Sequence, residues 1–209
     1  MGKLHVERLI LGDMRTNCYL AVNEETKEAL IIDPADNAEG ITLKLKSLQA
    51  VPVAVLLTHG HFDHIGAAEE LRKSFGIPVA AMEAEEEVLT DASKNLTGYF
   101  GTPYGIKADR YIRDKEQLSY AGFSIRALHT PGHTSGGACY YIPEEKVLFS
   151  GDTLFCESIG RTDFPTGSAA VLRQSVRGLL EELPEDVAVY PGHEMPTDIG
   201  HEKQYNPFA

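Results

Sequence analysis

Apolar positions along this chain fall into short runs of four to seven residues, most of them ending at Gly, Pro, Asp or His. Val6 to Ile32 predicts a β-meander. Glu7–Leu11, Cys18–Val22 and Ala29–Ile32 are strand-like, and a polar turn covers Asn23–Lys27. After Asp33-Pro34-Ala35-Asp36, residues Ala38–Leu48 predict a helix. Val51–Leu57 is continuously apolar and predicts a buried strand. An amphipathic helix then starts at Ile65 and runs through Leu71, closed by Gly76 ahead of Pro78. Pro78–Ala81 predicts a short strand, and Glu83–Asp91 an acidic helix with its charges on a solvated face. Periodicity fails over residues 92–113. There Gly98, Gly101, Pro103 and Gly105 alternate with Tyr99, Phe100 and Tyr104, which predicts a long irregular loop, either a lid or ordered surface chain.

The second half repeats this style. Phe123–Leu128 predicts a strand leading into His129-Thr130-Pro131-Gly132-His133. Ala138–Ile142 and Val147–Ser150 predict a hairpin across Pro143–Lys146, with Gly151-Asp152-Thr153 at its exit. Ser168–Leu183 predicts a strong helix capped by Ser168 and stopped by Pro184. Val187–Tyr190 predicts a last strand, running into Pro191-Gly192-His193. No linker or low-complexity segment interrupts the pattern, so residues 1–209 are expected to form one domain. Two sets of mainly β segments with attached helices predict an α/β (α+β) protein of two packed sheets with helices outside.

Composition narrows the partners. The chain is 43% hydrophobic and 24% charged, which is ordinary for a soluble globular protein. Its net charge of −12 argues against nucleic acid and against anionic membrane surfaces. Cys18, Cys139 and Cys156 are odd in number and widely spaced, so a disulfide framework is not expected. With no apolar leader at Met1-Gly2-Lys3-Leu4-His5, the expected compartment is the reducing cytoplasm.

The densest chemistry lies in Thr58-His59-Gly60-His61-Phe62-Asp63-His64, directly after the Val51–Leu57 run. In an extended segment His59 and His61 point to the same side and can reach one ion. Asp63 and His64 lie past the bend and can turn toward a second. Unpartnered imidazoles packed this closely would cost free energy without a cation between them. Three further positions share the same setting: His133 and His193 each follow Pro-Gly, and Asp152 follows Gly, all after apolar strands. Together they give a ligand count for two ions. His59, His61 and His133 form one site, Asp63, His64 and His193 the other, and Asp152 stands between them.

The stretches Thr-His-Gly-His-Phe-Asp-His-Ile-Gly, Thr-Pro-Gly-His-Thr, Ser-Gly-Asp-Thr and Tyr-Pro-Gly-His resemble the metallo-β-lactamase superfamily in order and spacing, from about Asn17 onward. Gly160-Arg161-Thr162-Asp163-Phe164-Pro165 and Asn206-Pro207-Phe208 resemble its glyoxalase II branch, especially the short bacterial members. The resemblance implies a four-layer αββα sandwich and two divalent metal ions, zinc with iron or manganese as alternatives. It implies hydrolysis of a small-molecule thioester of the hydroxyacylglutathione type by a metal-bridging hydroxide, with Asp63 both ligating and orienting the nucleophile. A thiolate leaves without a dedicated general acid, and the motif set offers none.

The family pattern is broken where long glyoxalase II enzymes hold glutathione. Their Lys and Tyr after the bridging aspartate align with Arg161 and Asp163, a further Tyr aligns with Met195, and the basic C-terminal extension is absent. Arg161 is either a contact for an anionic substrate or the partner of Asp163 in a structural ion pair. The main rival is a persulfide dioxygenase of the same fold, with one iron held by two histidines and an aspartate, since Gly-Arg-Thr-Asp-Phe is common to both. Pro-Gly-His-Glu around His193 favours the hydrolase. A secreted β-lactamase, a nuclease needing a basic surface, and a binding domain that has lost its ligands fit less well. Cys156 reads as a buried small residue or a thiol near the metals, and His129 as a backbone-bonded residue or a partner of the site.

Overall fold

The computed structural model describes residues 4–209, so Met1-Gly2-Lys3 lie outside the described residues. Six strands form the first sheet in chain order: β1 (Leu4–Leu11), β2 (Thr16–Asn23), β3 (Glu28–Ile32), β4 (Val51–Leu56), β5 (Val79–Met82) and β6 (Arg110–Ile112). The meander β1–β3 is antiparallel, and β3 to β6 are parallel. Parallel neighbours need crossovers. These are α1 (Ala38–Ser47), the pair α2 (Phe62–Ile65) and α3 (Ala68–Phe75), and a segment holding α4 (Glu86–Thr90) and α5 (Thr97–Phe100).

The second sheet contains β7 (Gln117–Tyr120), β8 (Phe123–His129), β9 (Ala138–Ile142) and β10 (Val147–Gly151). A small hairpin, β11 (Leu154–Phe155) with β12 (Ser158–Ile159), and helix α6 (Ala169–Glu182) follow. Then β13 (Ala188–Pro191) and β14 (Thr197–Asp198) complete the sheet in the order β14-β13-β10-β9-β8-β7, before α7 (Ile199–Tyr205). Only β10–β13 is parallel there.

Period-two alternation assigns the layers. On β2 and β3, Cys18, Leu20, Ala29 and Ile31 pack with Ile41, Leu45 and Leu71 of the helices. Their neighbours Tyr19, Ala21, Leu30 and Ile32 instead meet Phe123, Ile125, Tyr140 and Phe149 between the sheets. Beyond the second sheet, Cys139, Tyr141, Leu148 and Val189 meet Val176, Leu179 and Leu180 of α6. Three apolar seams therefore separate four layers, the αββα sandwich. No helix of the described residues is long and apolar enough to cross a membrane.

Local departures from the sequence reading have physical causes. The helix expected from Ile65 is split in two, because Ala67 N–H donates to Pro34 carbonyl at 2.9 Å and ties the joint to the exit of β3. Ser168 occupies the position before α6 in extended conformation, but its side chain caps nothing. Its N–H donates instead to Gly132 carbonyl at 2.8 Å. The 92–113 segment is ordered around buried Asn95, whose amide donates to Tyr104 carbonyl at 2.8 Å. It ends in β6, a strand of three residues and too short to show a period.

Candidate metal centre

All the expected ligands stand at the same edge of the sandwich, just beyond the ends of β4, β8, β10 and β13. Thr58 carbonyl accepts from Ala138 N–H at 2.8 Å, which locks the β4 exit in one sheet to β9 in the other. Gly192 N–H donates to Gly151 carbonyl at 2.9 Å, holding the His193 and Asp152 turns together. Glycine is required at both positions, for different reasons. Gly151 has φ +50°, and a Cβ there would overlap Thr58. Gly192 has no unusual backbone, but a Cβ would collide with Asp152 Oδ1 and crowd His64.

The side chains assemble as two trios. One ligand atom each from His59, His61 and His133 lies within 4.8 Å of the others, and the same holds for Asp63, His64 and His193. His133 Nε2 faces His61 Nδ1 at 2.9 Å. Asp152 reaches both groups: Oδ2 is 3.4 Å from His133 Nε2 and 3.6 Å from His193 Nε2, and Oδ1 is 3.5 Å from His64 Nε2. Asp63 Oδ2 lies 3.3 Å from His193 Nε2.

The donor set fits a pair of divalent cations. Nε2 of His59, His61 and His64 and Oδ1 of Asp152 are buried with no hydrogen-bond partner among the described residues. Orphaned polar atoms in such number are rare in a folded interior unless something binds them. Burial first, then neighbouring imidazoles, push His59 far below its ordinary value and His61 down to about 2. Burial likewise lowers His133, so all three are neutral and carry free lone pairs. Around His64, burial is outweighed by Asp63, Asp152 and Asp33, which raise it to about 10 and show how much negative charge converges on the second trio. Burial would raise Asp63, but His64 and the hydrogen bond from His193 hold it ionised, well below the ordinary carboxylate range.

Several supporting residues escaped the sequence reading. Asp33 is 2% exposed and holds φ +49°, a left-handed conformation that short polar side chains tolerate. It accepts from Thr58 N–H at 2.7 Å, Thr58 Oγ1 at 2.6 Å and His64 Nδ1 at 3.0 Å. That last bond fixes the proton on Nδ1 and leaves Nε2 free for the centre. Thr16 Oγ1 donates to Asp63 Oδ2 at 3.0 Å.

Glu85 corrects the picture of a wholly solvated acidic helix. It is 1% exposed and accepts from Gly60 N–H at 2.7 Å, Gly136 N–H at 2.8 Å and Thr134 Oγ1 at 2.9 Å. One carboxylate thus pins the His59–His61 loop to the loop after His133. Burial raises its carboxyl to about 8 against the pull of those three donors.

Arg161 meets the centre through its backbone. Its carbonyl accepts from His133 Nδ1 at 2.7 Å, while its guanidinium makes two 2.7 Å bonds to Asp163 and lies 3.9 Å from the Phe164 ring centroid. His129 Nε2 bonds Ser135 carbonyl at 2.9 Å, away from the trios. Cys156, half-buried, gathers instead with His201 and Glu202. Glu202 there is occupied by Thr197 Oγ1, Asn206 Nδ2 and Glu157 N–H.

Comparison with known proteins agrees with the fold. The sequence profile of the metallo-beta-lactamase superfamily matches residues 11–193. The chain belongs to that superfamily. It is 37% identical over 208 residues to the hydroxyacylglutathione hydrolase GloC of Haemophilus influenzae, covering 98% of each chain. Among solved structures it is similar to the BLEG-1 B3 metallo-beta-lactamase, with TM-score 0.92, 40% identity and 98% and 99% of the two chains covered. It is also similar to TTHA1623, solved in a di-iron-bound form, with TM-score 0.86, 32% identity and 97% and 100% coverage.

Proposed function

We propose that this chain is a dinuclear metallohydrolase that cleaves a thioester of the hydroxyacylglutathione type, as in glyoxalase II, in the cytoplasm. The observation that carries the reading is the pair of trios joined by Asp152. The likeness to GloC over nearly the full length of both chains supports the substrate class, and the di-iron neighbour supports two ions, whether zinc, iron or manganese. His59, His61 and His133 would hold one ion, Asp63, His64 and His193 the other, with Asp152 shared. Two such ions supply an acidified water and polarise the scissile carbonyl.

The chain's own residues do the rest. Asp33 keeps His64 in the tautomer that offers Nε2, and the Arg161 carbonyl does the same for His133. Thr16 holds one carboxylate oxygen of Asp63, leaving the group fixed beside both histidines of its trio. No further acid stands among the assembled ligands to protonate a leaving amine. A thiolate needs no such proton, which favours thioester over amide cleavage.

A substrate panel on the metal-loaded protein tests this reading. Turnover of S-lactoylglutathione, with little on a β-lactam and no oxygen uptake on glutathione persulfide, is the expected pattern. Preferential hydrolysis of a β-lactam, the activity for which the BLEG-1 B3 metallo-beta-lactamase is named, would replace it. So would persulfide-dependent oxygen consumption.

A further inference from the structure

A groove of about 480 Å³ runs alongside His193, between the turn joining β1 to β2 and the segment after β13. Its walls carry Arg8 and Arg15 with Ile10, Met14 and Met195, whose side chains are 46%, 49% and 67% exposed. Both arginines are exposed, and neither is ion-paired among the described residues. Of the nine arginines, Arg72, Arg110, Arg113, Arg126 and Arg161 each face a carboxylate within 4.0 Å, whereas among the described residues Arg173 and Arg177 on α6, like the groove pair, do not. Arg8 and Arg15 thus place two guanidiniums with no carboxylate partner among the described residues in one groove of a chain of net charge −12. Glu194 is the one acid lining it.

The groove is built onto the metal centre. Arg8 Nη1 donates to Glu194 carbonyl at 3.0 Å, which tethers its head beside the residue that follows His193. Arg15 directly precedes Thr16, the residue bonded to Asp63. Asn17 N–H donates to Gly192 carbonyl at 2.7 Å, and its amide donates to Pro191 and Glu194 carbonyls at 2.9 and 3.0 Å. Those two bonds fix the amide orientation and leave Asn17 Oδ1 buried and unpaired at the groove. Paired guanidiniums recognise carboxylates, and flexible thioether side chains adapt to an aliphatic stem.

We propose that this groove seats the thiol half of the substrate, and that this half is anionic. Arg8 and Arg15 bind its carboxylate, while Ile10, Met14 and Met195 cover its aliphatic part. The inference rests on the thioester reading for what occupies the groove. It assigns the carboxylate to the β1–β2 edge of the fold, far in sequence from Arg161, whose guanidinium is already taken by Asp163.

The test is calorimetric titration of the metal-loaded full chain with S-methylglutathione, a thioether that cannot be hydrolysed, and with its diethyl ester. The native protein should bind the free acid about tenfold more tightly than the ester, an advantage of the size expected from two exposed charge-assisted contacts. The R8Q/R15Q variant should erase that preference, whereas R177Q, a charge removed on α6, should keep it. Equal binding of acid and ester by the native protein would overturn the proposal, as would a preference that survives in R8Q/R15Q. Failure of the thioester reading shows separately, as absent cleavage of S-lactoylglutathione with the carboxylate preference intact.

Discussion

Replacing Asp33 by Asn keeps the size of a side chain that never touches substrate, yet it should cripple the second metal position. The carboxylate serves three donors at 2.6 to 3.0 Å, all buried: Thr58 N–H, Thr58 Oγ1 and His64 Nδ1. An amide offers one acceptor where there were two. If its NH2 faces Thr58 N–H, a buried donor is left unpaired at about 1–3 kcal/mol. If it faces His64, the imidazole must move its proton to Nε2, the nitrogen the centre needs. Either arrangement should weaken the second ion by about 10- to 100-fold, the usual consequence of losing such an orienting partner. Asp33→Ala would strand all three donors and cost about 3 kcal/mol or more, a large share of a typical domain's stability, so Asn is the informative change. Competition with a chromophoric chelator reads the affinity, and a urea midpoint confirms the fold. A folded Asp33→Asn protein with both affinities within twofold of native would refute the role given to Asp33.

Other perturbations separate scaffold from site. Glu85→Gln should leave one of three buried donors unmatched, lowering stability by about 1–3 kcal/mol in urea titration. Because the folded carboxyl of Glu85 is raised to about 8 from 4.5, its contribution favours folding below about 4.5 and is lost as pH rises toward 8. The metal-free native protein should therefore lose stability relative to Glu85→Gln over that window, and parallel urea midpoints at pH 5 and pH 8 would contradict this. Gly192→Ala places a methyl against Asp152 and His64. It should abolish binding of the second ion while circular dichroism stays native, and a variant that binds two ions normally would show that the turn can relax.

The ligands were legible in the sequence because each follows an apolar run and a turn, so that a polar side chain there has few roles except binding. The unbroken apolar runs of β2, β3 and β9 likewise fit strands buried on both faces, as two packed sheets with helices outside require. Asp33 and Glu85 were hidden by their surroundings. An acid at a strand end reads as a turn, and one among Glu83, Glu86 and Glu87 reads as surface. Their roles arise only from contacts 25 to 51 residues away in the chain, which no local window contains. Strands β6, β11, β12 and β14 are two or three residues long, below the length at which a period shows. Whether Arg161 paired with Asp163 or stood free was likewise a question of side-chain geometry, as was the lack of a carboxylate partner for Arg8 and Arg15 among the described residues.

The most direct measurement is metal stoichiometry on freshly purified protein, compared between the native chain and Asp152→Ala while S-lactoylglutathione turnover is followed. Two ions per native chain with thioester cleavage, and loss of both on removing the shared carboxylate, is the predicted result. A single iron per chain with no cleavage would contradict a dinuclear hydrolase.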